Sequence, residues 1–180
     1  MTLLLVPGLY NSGPEHWQTH WEREIAGARR VEQRDWSMPI CRDWVQALDA
    51  AVRAADAPVA IAAHSLGCAT VAHWAVGAKA ESLGRVRGAL LVAPSDLEAP
   101  RYPVGMAGFI PLPLDPLPFP TIVVASTDDE WVSLERATFF ADEWGSRLVN
   151  VGALGHVNSA SGLGSWAEGR ALLESLGGTA

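Results

Sequence analysis

Cysteine, charge and long apolar runs are all scarce in this chain, and each shortage excludes something. The two cysteines, Cys41 and Cys68, lie far apart without metal-type spacing, so neither a disulfide framework nor a zinc site is indicated, and Cys68 reads as a small buried core residue. Charged residues make up only 18%, acidic over basic by 20 to 13 for a net charge of −7, and no basic cluster occurs. Such a surface makes nucleic acid and anionic membrane poor partners. No apolar run approaches membrane-spanning length, and the start M-T-L-L-L-V-P-G has neither the basic stretch nor the apolar length of a signal peptide. The expectation is a cytoplasmic protein with reduced thiols and no membrane contact. Internal repeats and low-complexity segments are absent too. What the chain does have is 180 residues that are 49% hydrophobic, enough for a single domain, 1–180, with a substantial core.

Short apolar runs alternate with amphipathic stretches along the whole chain. Thr2–Val6, a weak Arg30–Arg34, Val59–Ala63, Arg87–Ala93, Thr121–Ala125 and Leu148–Val151 read as strands. Between them, helices are expected from Pro14 to about Gly27, over Asp43–Ala55, after Ser65, around Leu134–Trp144 and over Ser165–Leu176. Trp17, Trp21 and Ile25 form a stripe that should pack on the sheet. His16 and His20 share another face at a spacing that suits a metal, but no third ligand is near, so no cofactor or metal is expected. The fold class is α/β: about six mostly parallel strands with helices on both faces. Residues 95–119 carry six prolines and should be irregular, forming a lid or pocket wall far too short for a helical cap domain.

The chemistry gathers where strands run out. In Ala63-His64-Ser65-Leu66-Gly67 an apolar strand turns at once into an alanine-rich helix. A serine on such a turn lifts its hydroxyl clear of the sheet and leaves the Leu66 N–H free at a helix N-terminus, the nucleophile elbow. Alanine stands where the usual G-x-S-x-G pattern has its first glycine; taken alone, the serine could equally be a helix cap. Two further partners follow: Asp128 or Asp129 after the fifth strand and His156 after the sixth. The order Ser…Asp…His is that of the α/β-hydrolases. The loop after the first strand would supply a second oxyanion donor, the N–H of Leu9 or of Tyr10. Tyr10, Trp36, Met106, Phe109 and Trp131 fall on loops at the same edge and are expected to line an apolar acyl pocket.

Four blocks carry a family resemblance: V-P-G-L-Y-N-S-G-P-E-H-W-Q (6–18), A-H-S-L-G-C (63–68), S-T-D-D-E-W-V (126–132) and G-H-V-N (155–158), followed by S-G-L-G-S-W (161–166). Together they resemble the small serine hydrolases of the YdeN and retinoblastoma-binding protein 9 type, over essentially the entire chain. The resemblance implies a compact α/β-hydrolase without a cap, with Ser65 as nucleophile and His156 as base. Its D-x-x-V pattern, ending at Val132, selects Asp129 over Asp128 as the acid, with Asp96 a third choice; Ser133 departs from the proline found in many relatives. The expected activity is hydrolysis of a small carboxylic ester, thioester or amide. The alternative is a protein-binding module on the same fold, although no protein partner is indicated. An aminopeptidase would need a carboxylate in the pocket, for which Glu15 and Glu130 are the nearest in sequence.

Overall fold

The computed structural model describes residues 1–56, 58–103 and 105–176. The last four residues of the expected 1–180 domain and Ala57, which precedes the central strand, lie outside the described residues, as does Val104 within the proline-rich segment. Six strands form one sheet: β1 (Thr2–Val6), β2 (Ala28–Arg30), β3 (Val59–His64), β4 (Val86–Val92), β5 (Thr121–Ala125) and β6 (Arg147–Asn150). Their order is β2-β1-β3-β4-β5-β6, and every neighbouring pair is parallel. From β1 the chain winds outward to β2, then crosses back to β3 and proceeds to β6. The direction of winding therefore reverses between β1 and β3, and in open α/β sheets the crevice beyond the C-terminal ends of such a strand pair is where ligands bind.

Because side chains alternate along a strand, a sheet covered on both sides needs apolar residues at every position. Leu4, Val6, Ile61, Ala63, Leu91 and Val123 point to one face, where α2 (Cys41–Ala54), α3 (Leu66–Gly77) and α5 (Leu134–Glu143) cover them with Leu48, Val52, Val71 and Phe140. Leu3, Leu5, Ala62, Leu90 and Ile122 point to the other, under α1 (Trp17–Glu24) and α6 (Ala167–Ser175), which contribute Trp17, Trp21 and Leu173. Each valine, leucine, isoleucine or phenylalanine side chain among them taken fully out of water contributes roughly 2 kcal/mol. A single turn, α4 (Ala80–Leu83), precedes β4. No helix of the described residues is long and apolar enough to cross a membrane.

Several boundaries differ from the sequence expectation for local reasons. α1 begins at Trp17, not Pro14, because His16 caps it: its extended backbone stops the helix while its ring nitrogen accepts from the Gln18 N–H. β2 lies at Ala28–Arg30 and shares only Arg30 with the expected Arg30–Arg34, because its register sets Ala28, Arg29 and Arg30 beside Leu3, Leu4 and Leu5, and the last ladder bond runs from the Val31 N–H to the Leu5 carbonyl. Between β4 and β5 the described residues hold no helix or strand, only a bridge between Ile40 and Ala107.

Candidate active site

Ser65 sits at φ 55°, ψ −124°, in the sharp turn between β3 and α3. A non-glycine residue there is strained by about 1–3 kcal/mol, and its neighbours must hold it. They do so through close approach. A Cβ on Gly67 would lie 2.2 Å from the Val6 carbonyl oxygen, and one on Gly8 would lie 2.7 Å from the Ser65 Cβ. The second glycine of the elbow thus lets α3 pass against β1, and Gly8 lets the loop after β1 press against the serine. Ala63, fully buried in β3, fits where the common pattern has glycine. Other strained residues surround the elbow at the same sheet edge: Tyr10, Asn11, Ala93 and Val157 all have positive φ.

The three expected polar groups meet. His156 Nε2 lies 2.9 Å from Ser65 Oγ, and His156 Nδ1 lies 2.9 and 2.8 Å from the two carboxylate oxygens of Asp129. A carboxylate only accepts, so Nδ1 carries the proton and the neutral ring presents a lone pair at Nε2 to the Ser65 hydroxyl. The Asp129 side chain is wholly buried and also accepts from the Trp131 N–H at 2.8 Å. Asp128 does something else: it accepts from the Ser126 hydroxyl at 2.8 Å and the Gly155 N–H at 2.7 Å, pinning the loop that carries His156. Those two bonds hold its carboxyl below the usual range. Asp96 is bound to Arg136 at 3.0 Å and makes no contact with His156.

The loop after β6 is held from beneath by residues far away in sequence. Trp17 and Trp21 donate their indole N–H groups to the carbonyls of Val157 and Ser165, at 2.9 and 2.8 Å, while their rings pack against Trp166. His64 donates from Nε2 to the His156 carbonyl at 2.8 Å. Its ring lies between those of His16 and His156, with centroids 4.6 and 4.9 Å away. Burial keeps His64 and His16 neutral: the first is pushed well below 6.5 and the second down to about 3. On the opposite side, Arg30 donates to the Asn11 side chain, the Ser12 carbonyl and Thr19, fixing the loop after β1.

A cavity of about 440 Å³ opens over Ser65. Leu9, Tyr10, Asn11 and Gly13 form one side, Tyr102, Pro103 and Trp131 another, and Asn158 to Ala160 a third, with His16, His64 and His156 at the base. Among the described residues that line it there is no carboxylate, lysine or arginine; Glu15 and Glu130 are not among them. Tyr10 and Trp131 take their expected places, but Trp36, Met106 and Phe109 do not. The segment that carries Met106 and Phe109 folds back over α2 and α3: Ala107 exchanges hydrogen bonds with Pro39 and Cys41, and the Phe109 carbonyl accepts from His73. Phe109 and Trp36 pack edge-on against Trp44 in a separate apolar cluster that includes Met106. The expected oxyanion donors narrow to one of the pair, because Tyr10 is already engaged. Its N–H is engaged by the Trp36 carbonyl at 2.9 Å, whereas the N–H groups of Leu9 and Leu66 have no acceptor among the described residues.

Two hydroxyl groups at this site carry no motif in the sequence: Ser95, whose Oγ is 2.8 Å from that of Ser65, and Tyr102 beside both. Their only sequence signal is position, since Ser95 follows β4, the strand next to β3.

Fold and site together define the class: an α/β-hydrolase with a serine, a histidine and an aspartate in hydrogen-bonded series. The family model described as "Serine hydrolase" matches residues 3–175, and the chain belongs to that family and is a hydrolase. The chain is 34% identical to a protein described as a YdeN-like hydrolase from Pectobacterium atrosepticum, over 97% of this chain and 90% of that one, with a TM-score of 0.82. The ydeN gene product of Bacillus subtilis shares the fold at 18% identity, covering 97% of each chain with a TM-score of 0.72. A hydrolase of the α/β superfamily from Xanthomonas campestris does so at 22% identity, over 98% of each chain, with a TM-score of 0.62. No curated protein matches the chain.

Proposed function

We propose that the protein hydrolyses a small, uncharged carboxylic ester, thioester or amide through an acyl-enzyme on Ser65. The observation that carries this reading is the unbroken series Asp129–His156–Ser65, at 2.8 to 2.9 Å, opening into a cavity with no charged side chain among its described lining residues. Neutral His156 takes the Ser65 proton as Oγ attacks the acyl carbon, and Asp129 stabilises the imidazolium that forms. The oxyanion is held by the N–H groups of Leu66 and Leu9, each worth about 3 kcal/mol of barrier. His156 passes its proton to the leaving group; water, deprotonated by the same ring, then releases the acid and restores Ser65. The lining supports an uncharged substrate. A peptide amino terminus would need a carboxylate there, which speaks against an aminopeptidase.

The test is hydrolysis of p-nitrophenyl acetate by the wild type, Ser65→Ala and His156→Ala. A pre-steady-state burst equal to one nitrophenolate per chain is expected for the wild type, and neither burst nor turnover for the variants. Equal turnover by folded Ser65→Ala would refute the assignment.

A further inference from the structure

We propose that Ser95 is a fourth member of the reaction centre, an auxiliary donor whose hydroxyl bonds to the nucleophile's own oxygen and stabilises it as it gains charge. This rests on the acyl transfer at Ser65 proposed above. Ser65 Oγ lies 2.9 Å from His156 Nε2 and 2.8 Å from Ser95 Oγ, with the Tyr102 hydroxyl beside it, and has only one proton to give. With Nδ1 of neutral His156 donating to Asp129, Nε2 can only accept, so the Ser65 proton goes to His156. Ser95 must then be the donor in the second bond.

Its placement is anchored on both sides. Ala93, at φ 49°, turns the chain at the end of β4, and the next residue but one, Ser95, is buried. Asp96 then ties the loop down, its N–H donating to the Trp131 carbonyl and its carboxylate bound to Arg136. Tyr102, which lines the cavity, brings its hydroxyl beside both serines. The donor therefore stands in a loop three residues beyond β4, next to a residue tied to both Trp131 and Arg136.

A hydrogen bond to a charged oxygen is roughly twice as strong as one to a neutral oxygen. As the Ser65 proton moves to His156 and the bond from Oγ to the acyl carbon forms, the Ser95 bond strengthens. In deacylation, Oγ leaves the acyl carbon carrying charge until His156 returns a proton, and the same donor serves again. Ser95 keeps its own proton throughout. The contribution belongs to the transition state and not to substrate binding.

The test is Ser95→Ala, which removes one oxygen from a buried site, assayed with p-nitrophenyl acetate across pH 5 to 9. Expected is about a tenfold fall in kcat, with KM within about twofold, the thermal midpoint within a few degrees and the acid limb of the kcat/KM profile unmoved. An unchanged kcat overturns the proposal. So does a fall accompanied by a displaced acid limb or a proportionate rise in KM, since Ser95 would then act by shaping the loop. If the wild type itself neither turns over nor shows a burst, the acyl-transfer reading fails and this inference with it, an outcome separate from an active wild type with a silent Ser95→Ala.

Discussion

Replacing Asp129 by asparagine should disable the base without unfolding the protein. The side chain is wholly buried, with one oxygen 2.8 Å from the Trp131 N–H and both within 2.9 Å of His156 Nδ1. Asparagine can still accept from Trp131 through its carbonyl oxygen, but it then turns an NH2 group toward Nδ1. The ring must answer with a lone pair, so its proton moves to Nε2, and Nε2 can no longer take the Ser65 proton. The carboxylate that stabilises the imidazolium is lost as well. The expected fall in kcat/KM is about 10⁴-fold, which is about 5.5 kcal/mol of transition-state stabilisation. Asp128→Asn is the control. Its two donors, Ser126 and Gly155, can both be met by an amide oxygen, so activity should fall less than about tenfold. The assay is kcat/KM on p-nitrophenyl acetate, with circular dichroism to show that both variants are folded. Equal losses, or an Asp129→Asn variant with more than a tenth of wild-type activity, would refute the assigned tautomer.

Stability should fall on acidification. His16 and His64 have folded pKa values below the unfolded 6.5, so their contribution is present above 6.5 and lost as pH falls. By pH 5, His16, with its folded value at about 3, should have lost about 2 kcal/mol relative to pH 7.5, and His64 adds to the loss in the same direction. Urea unfolding at the two pH values should show that drop, and His16→Asn, which still caps α1, should recover the His16 share of about 2 kcal/mol; stability that is equal at both pH values would contradict this. Gly67→Ala should cost more than about 3 kcal/mol, because its Cβ meets backbone atoms that cannot turn aside, whereas Gly13→Ala meets nothing within 4 Å and should be nearly silent. Similar melting temperatures for the two would show that the close approach at the elbow is wrong. Burial raises the thiol of Cys68 and pushes that of Cys41 up to about 11, so iodoacetamide at pH 8 should leave both unmodified until urea is added. Rapid native labelling of Cys68 would place it nearer solvent than the core.

Much of the fold is legible because its punctuation is local. β1 and β5 match the expected ranges residue for residue, since Pro7-Gly8 ends the first and Pro120 precedes the second. Ser65, Asp129 and His156 are likewise marked by the strands they follow. What the sequence hides is which way a loop folds. Trp36, Met106 and Phe109 stand on loops at the active edge, yet the segment around Phe109 is drawn across α2 and α3 by hydrogen bonds between residues more than 30 apart, as from His73 to Phe109. Ser95 and Tyr102 escape for the converse reason. A serine after a proline looks like any turn, and only the register of β4 beside β3 brings its hydroxyl to Ser65. The pair of tryptophans on α1 is half legible: their spacing predicts the packed stripe, whereas the indole donors that hold the His156 loop depend on where residues 157 and 165 return.

The central claim is an activated Ser65, and the most direct measurement is treatment of the folded protein with a fluorophosphonate, the adduct located by mass spectrometry. No natural substrate is needed. A single adduct on Ser65, absent from Ser65→Ala and from His156→Ala, is the predicted result. A folded wild type that takes up no reagent, or takes it up elsewhere, would contradict the account.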